Sequence, residues 1–131
     1  MALTLERKQE IVNQFHFDTR NLEWEKENGA PENAMNVNLQ LLDPKELEGG
    51  IAEEDTGIAV ILQYMLPMDA FVISGLLSQV NIVKNQKISE QDELTQEDME
   101  QLAAPLFDLL KRLVYENTEI ALDQPGIQLE F

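Results

Sequence analysis

Met35-Asn36-Val37-Asn38-Leu39-Gln40-Leu41 alternates apolar and polar side chains without a fault. A period of two marks a strand with one buried face, because successive Cβ atoms leave opposite sides of a pleated backbone. One dry face and one wet face suit an antiparallel sheet covered on one side only. The rest of the chain reads outward from this strand.

Upstream, Ile11 to Asp18 alternates again, with Ile11, Phe15 and Phe17 on one side and Val12, Gln14, His16 and Asp18 on the other. Asn13 breaks the pattern. A polar crossing, Thr19 to Ala34, joins the two strands, with Asn28-Gly29-Ala30-Pro31 as its turn signal. Leu22 and Trp24 are its isolated apolar residues. Downstream, Asp43 to Asp55 holds six acids and one lysine around Gly49-Gly50 and is expected to be an exposed, mobile loop. Ile58 to Leu66 is apolar on both faces, as a central strand would be. Leu66-Pro67-Met68-Asp69 carries proline where a turn favours it, and Phe71 to Val83 completes a hairpin. Gly75 inside it points to a bulge or a close backbone approach.

Thr95, followed by Glu97 and Asp98, opens a helix: a hydroxyl cap with acids in the first turn. Leu102, Leu106, Leu109, Leu110, Leu113 and Val114 form its stripe, which should run from about Thr95 to about Asn117. Pro105 should kink or restart it. Thr118 to Phe131 reads as an extended tail. The sum is an α+β fold spanning 1–131 as one domain: a four-stranded antiparallel sheet with one long helix packed on one face. Ile61 and Met65 remain on the other face, so self-association is expected.

Composition narrows the function. Twenty-five acidic residues against nine basic ones leave a net charge of −16. That balance cannot furnish the cationic footprint of a nucleic-acid binder or of a protein adhering to an anionic membrane. No apolar run is long enough to span a bilayer, and Met1 to Glu10 lacks the apolar core of a signal peptide, so a cytoplasmic protein is expected. With no cysteine and one histidine, thiolate sites and Ser-His-Asp triads lack raw material. His16 has no partner motif. Glu53-Glu54-Asp55 and Asp92-Glu93 lie in polar loops and match no calcium-loop spacing. Gly49-Gly50 lacks the lysine of a phosphate loop, and Ser74, Ser78 and Ser89 have no nucleophile-elbow context. No catalysis, cofactor or metal is expected. Trp24 differs from these, since an indole in an acidic crossing must bury its ring against its own fold, another subunit or a ligand. Met65, Met68 and Met99 add adaptable apolar surface.

The order of these elements carries a resemblance. Phe15-His16-Phe17-Asp18 ends a strand, a long polar crossing follows, and Pro31-Glu32 precedes the alternating strand. A hairpin, a helix containing Pro105-Leu106-Phe107 and a tail with Leu122, Pro125, Ile127, Leu129 and Phe131 complete the series. The chain resembles SecB, the bacterial export chaperone, and more closely a small uncharacterised bacterial family with a SecB-like fold. The resemblance implies a dimer or tetramer that binds unfolded or extended protein segments, or else an adaptor for one specific partner. SecB continues into a second helix that lids its client groove, whereas this sequence ends at Phe131. By this likeness the crossing forms part of the peptide site, with Leu22 and Trp24 as contacts and Met65 and Met68 as neighbours. Asp18 and Val72 match members of SecB's motor-docking patch, while Gln14 and Ser74 stand where acids are expected.

Overall fold

In the computed structural model, residues 3–43, 52–123 and 125–129 are described. The elements are β1 (Leu5–Arg7), β2 (Ile11–Thr19), α1 (Leu22–Asn28), β3 (Ala34–Leu42), β4 (Thr56–Pro67), β5 (Phe71–Val83), a 3-10 turn (Gln91–Glu93) and α2 (Gln96–Leu122). All strands join one antiparallel sheet in the order β1-β5-β4-β3, and β2 lies beside β1 along the same edge of β5. The architecture is the expected α+β sheet and helix, with β1 as a fifth strand. Most of the acidic loop after Asp43 lies outside the described residues.

Alternation does the sorting. Ile58, Val60, Leu62, Tyr64 and Leu66 of β4 and Ile73 and Leu77 of β5 face α2, and all are buried. They meet Leu102, Leu106, Leu110 and Val114, which share one helical stripe. Met35, Leu39, Phe15 and Phe17 flank this core half-covered. On the opposite face Ile61, Met65, Leu76 and Val80 are partly exposed.

Several local expectations are corrected. Asn13 sits in a β-bulge between Val12 and Gln14, where its Oδ1 accepts from Ser78 Oγ at 2.7 Å. The extra residue places Ile11 opposite Ser78 and Val12 opposite Leu77, so Ile11 does not share a face with Phe15 and Phe17. The hairpin turns at Asp69-Ala70, closed by Met68 N donating to Phe71 O at 2.8 Å. Pro67 is still in β4, paired with Val72 beyond the first residue of β3, where its missing N–H forfeits no ladder bond. Thr118 to Leu122, expected to be extended, continues α2. Thr118 is buried; its hydroxyl donates to Val114 O at 2.6 Å and accepts from Ile127 N at 2.8 Å, tying the tail to the helix.

No restart occurs at Pro105. Proline cannot donate to the carbonyl four residues back, that of Gln101. Arg7 Nη2 donates to that carbonyl at 2.8 Å, so the helix runs on with its free acceptor satisfied. The Gln101 side chain in turn pairs with both main-chain groups of Leu3, at 3.0 and 2.9 Å. Thr95 and Asp98 form a reciprocal capping box at the other end.

Candidate functional site

The crossing between β2 and β3 is not a plain loop: Leu22–Asn28 forms α1. Its signals lie at the ends. Asn21 Oδ1 accepts from Trp24 N at 3.1 Å, Glu23 and Glu25 occupy the first turn, and Gly29 closes the helix at φ 95°. None of its residues is buried, so an apolar stripe could not have revealed it. Arg20 holds it in place. The guanidinium meets the Glu25 carboxylate through Nε at 3.2 Å and Nη2 at 2.7 Å, and Nη1 donates to Met68 O at 2.6 Å. The Glu25 carboxylate holds the Arg20 pKa above its ordinary value. One side chain thus fixes α1 to the β4–β5 turn.

So anchored, α1 presents Leu22, 55% exposed, and Trp24, 58% exposed. An indole this open in an ordered helix is available for contact. Trp24 lines a concavity of about 340 Å³ with Thr19, Arg20, Pro31 and Val72. Asp18 is the register partner of Val72 on the same sheet face. A second concavity of about 250 Å³ lies on that face, lined by His16, Asn36, Gln63, Met65 and Ser74. Ser74 pairs with both His16 and Met65, two residues along β5 from Val72.

The structure therefore brings Trp24, Val72 and Asp18 together and sets Met65 beside them in the adjoining hollow. Leu22 shares α1 with Trp24 but lines neither concavity. Met68 is separate, packed against the core beneath the hairpin turn. Arg20 was missed as a site-forming residue, though its spacing to Glu25 across a helix start is a legible signal; Pro31 was read only as part of a turn, and its place in the hollow had no local signal.

Acidic residues take structural parts here. Asp55 is buried at the start of β4; its carboxylate accepts from Asn85 N at 2.8 Å and meets Lys84 Nζ at 3.2 Å. The Asn85 bond, aided by Lys84, holds its pKa below the usual carboxylate range. Lys84 also reaches Glu6 of β1 at 3.2 Å. Glu93 caps Ser89 N at 2.7 Å. Among the described residues no group of three or more His, Asp or Glu side chains could hold a metal ion, and no helix is long and apolar enough to cross a membrane.

The comparisons with known proteins agree on the fold. A family model described as protein of unknown function (DUF1149) matches residues 3–131. A crystal structure of a protein of unknown function from Streptococcus agalactiae is similar at 47% identity, with a TM-score of 0.91 over 100% of both chains. The Mycobacterium tuberculosis SecB-like chaperone Rv1957, solved with a ChAD peptide from the Rv1956 HigA1 antitoxin, is similar at 12% identity. Its TM-score is 0.56, covering 97% of this chain and 90% of that one. No curated protein matches the chain. The fold is SecB-like.

Proposed function

The chain belongs to the family described as protein of unknown function (DUF1149), and we propose that it holds unfolded or extended polypeptide segments without catalysis, as a SecB-like chaperone does. The observation that carries this is Trp24: an exposed indole over an apolar hollow, on a SecB-like fold. Extended segments gain affinity by burying alternate apolar side chains. The charge of −16 favours segments that carry lysine or arginine, so added salt weakens the complex. The peptide-bound state of the mycobacterial neighbour supports binding of protein segments.

Leu22 and Met65 extend the proposed contact surface, with Met68 a neighbour through the Arg20 bond to its main-chain carbonyl. Asp18 and Val72 serve in the same reading as a partner-docking pair. We place the protein in the cytoplasm, assembled as a dimer or tetramer through the apolar positions its sheet leaves uncovered. Suppression of aggregation of several unrelated denatured proteins, measured by light scattering, tests the reading. Trp24→Ala should weaken binding by about 1–3 kcal/mol, the range for an interface anchor, with its thermal melt unchanged. Absence of suppression, with one stoichiometric partner recovered, would instead favour an adaptor.

A further inference from the structure

Edge strands expose unpaired main-chain groups, and proteins usually blunt them with charge, proline or a bulge. The edge formed by β2 carries a bulge and Asp18. β3 carries none of these: AMNVNLQLL has no charge and no proline, and pairs with β4 at all nine positions without a shift. Which of its main-chain groups face outward follows from the hairpin. Met68 and Phe71 form a hydrogen-bonded pair, so Leu66, Tyr64, Leu62, Val60 and Ile58 bond towards β5. Met65, Gln63, Ile61 and Ala59 then bond towards β3, through Ala34, Asn36, Asn38 and Gln40. The N–H and C=O groups of Met35, Val37, Leu39 and Leu41 are left facing away from the sheet. Gln91 Nε2 donating to the Leu39 carbonyl agrees with that assignment. Among the described residues no hydrogen bond reaches the outward main chain of Met35 or Val37.

We propose that the Met35–Val37 edge takes up an extended polypeptide segment as an added strand, with Gln91 on the Leu39 carbonyl setting where the pairing stops. The inference rests on the reading that this protein binds extended segments, and names how they are held. Donors and acceptors repeating at every second residue are complemented by another extended backbone. Met35 is half-buried and Val37 is 38% exposed on the helix side, so they continue the core as a row that alternate apolar residues of the incoming strand would prolong. Charge selects the occupant. At this edge a second copy would set another body of net charge −16 against only the short apolar row of Met35 and Val37, unlike the uncovered sheet face through which copies are proposed to assemble. A neutral or cationic segment meets no repulsion. The ligand class is therefore an extended, proline-free segment with apolar residues at alternate positions and few acids.

Val37→Pro tests this, because it deletes an outward N–H and leaves the Asn36 and Asn38 bonds to β4 in place. The probe is a fluorescein-labelled peptide of alternating valine and threonine flanked by lysines. A second probe is the same peptide N-methylated at alternate valines. Fluorescence anisotropy should show tenfold or greater weakening for Val37→Pro, the same loss for the methylated peptide, and tightening for Gln91→Ala. Equal affinity of the two peptides for the unaltered protein overturns the proposal even if Val37→Pro fails to fold. Binding lost in Trp24→Ala but intact in a folded Val37→Pro leaves segment binding standing and removes strand addition. No binding of either peptide overturns both. A dimer of the unaltered protein that Val37→Pro dissolves, with no competition from peptide, would make the occupant a second copy and overturn it as well.

Discussion

Replacing Pro105 by alanine should stabilise the protein, and the gain should depend on Arg7. A proline in a helix interior is about 3 kcal/mol less favourable than alanine, through the missing N–H and the ring's clash with the preceding turn. Part of that cost is already offset here. Arg7 Nη2 donates to the Gln101 carbonyl at 2.8 Å, and such a bond at an exposed site contributes about 1 kcal/mol. Pro105→Ala should therefore gain about 2 kcal/mol. In that background the main-chain N–H restored at position 105 takes the Gln101 carbonyl, and Arg7 keeps only its long 3.4 Å contact with Asn81 Oδ1. Arg7→Met should cost about 1 kcal/mol in the parent and much less beside Pro105→Ala. Urea unfolding of the four proteins closes the double-mutant cycle, with a coupling of about 1 kcal/mol. Equal costs of Arg7→Met in both backgrounds would refute the account of how α2 passes its proline.

Gly75→Ala should destabilise by about 2–4 kcal/mol, because its Cβ would lie 2.1 Å from the Gln14 carbonyl and 2.5 Å from the Tyr64 hydroxyl; an unchanged urea midpoint would contradict the packing. Asp55 has a folded-state pKa below its unfolded value, so its contribution is complete above the unfolded pKa and is lost as pH falls through the folded one. Asp55→Asn should accordingly flatten the acid limb of stability against pH, followed by circular dichroism. Burial pushes the Tyr64 phenol up to about 12, so its ultraviolet titration should lag the ordinary phenol range and the late phase should vanish in Tyr64→Phe. Thr95→Ala should lower stability by about 1 kcal/mol through loss of the capping box, read as a lowered Tm.

What the chain declares about itself depends on the range of the interaction. The alternation from Met35 to Leu41 and the stripe from Leu102 to Val114 are local periodicities, and both elements form where they say. Asn13 was visible as a fault, and Gly75 as a place of close approach, before either had a partner. β1 was not legible: its Leu5-Glu6-Arg7 has one apolar residue, and its place is fixed by Val83, Lys84 and Gln101 far along the chain. α1 was missed because its signals are caps without a buried face. Trp24 stood out by composition alone. Its meeting with Val72 depends on the β2–β5 register, which the bulge at Asn13 shifts by a residue. Met65 and Met68 look alike in sequence, yet alternation and the turn after Pro67 send one to the outer hollow and the other against the core.

Trp24 is the only tryptophan, so its emission reports directly on the proposed site. Reduced, carboxamidomethylated ribonuclease A, an unfolded basic chain without tryptophan, can be titrated into the protein at low salt. Binding of extended segments at Trp24 predicts a saturable shift of the emission to shorter wavelength, protection from acrylamide quenching, and reversal of both by added salt. An emission spectrum and quenching constant unchanged through the titration would contradict it.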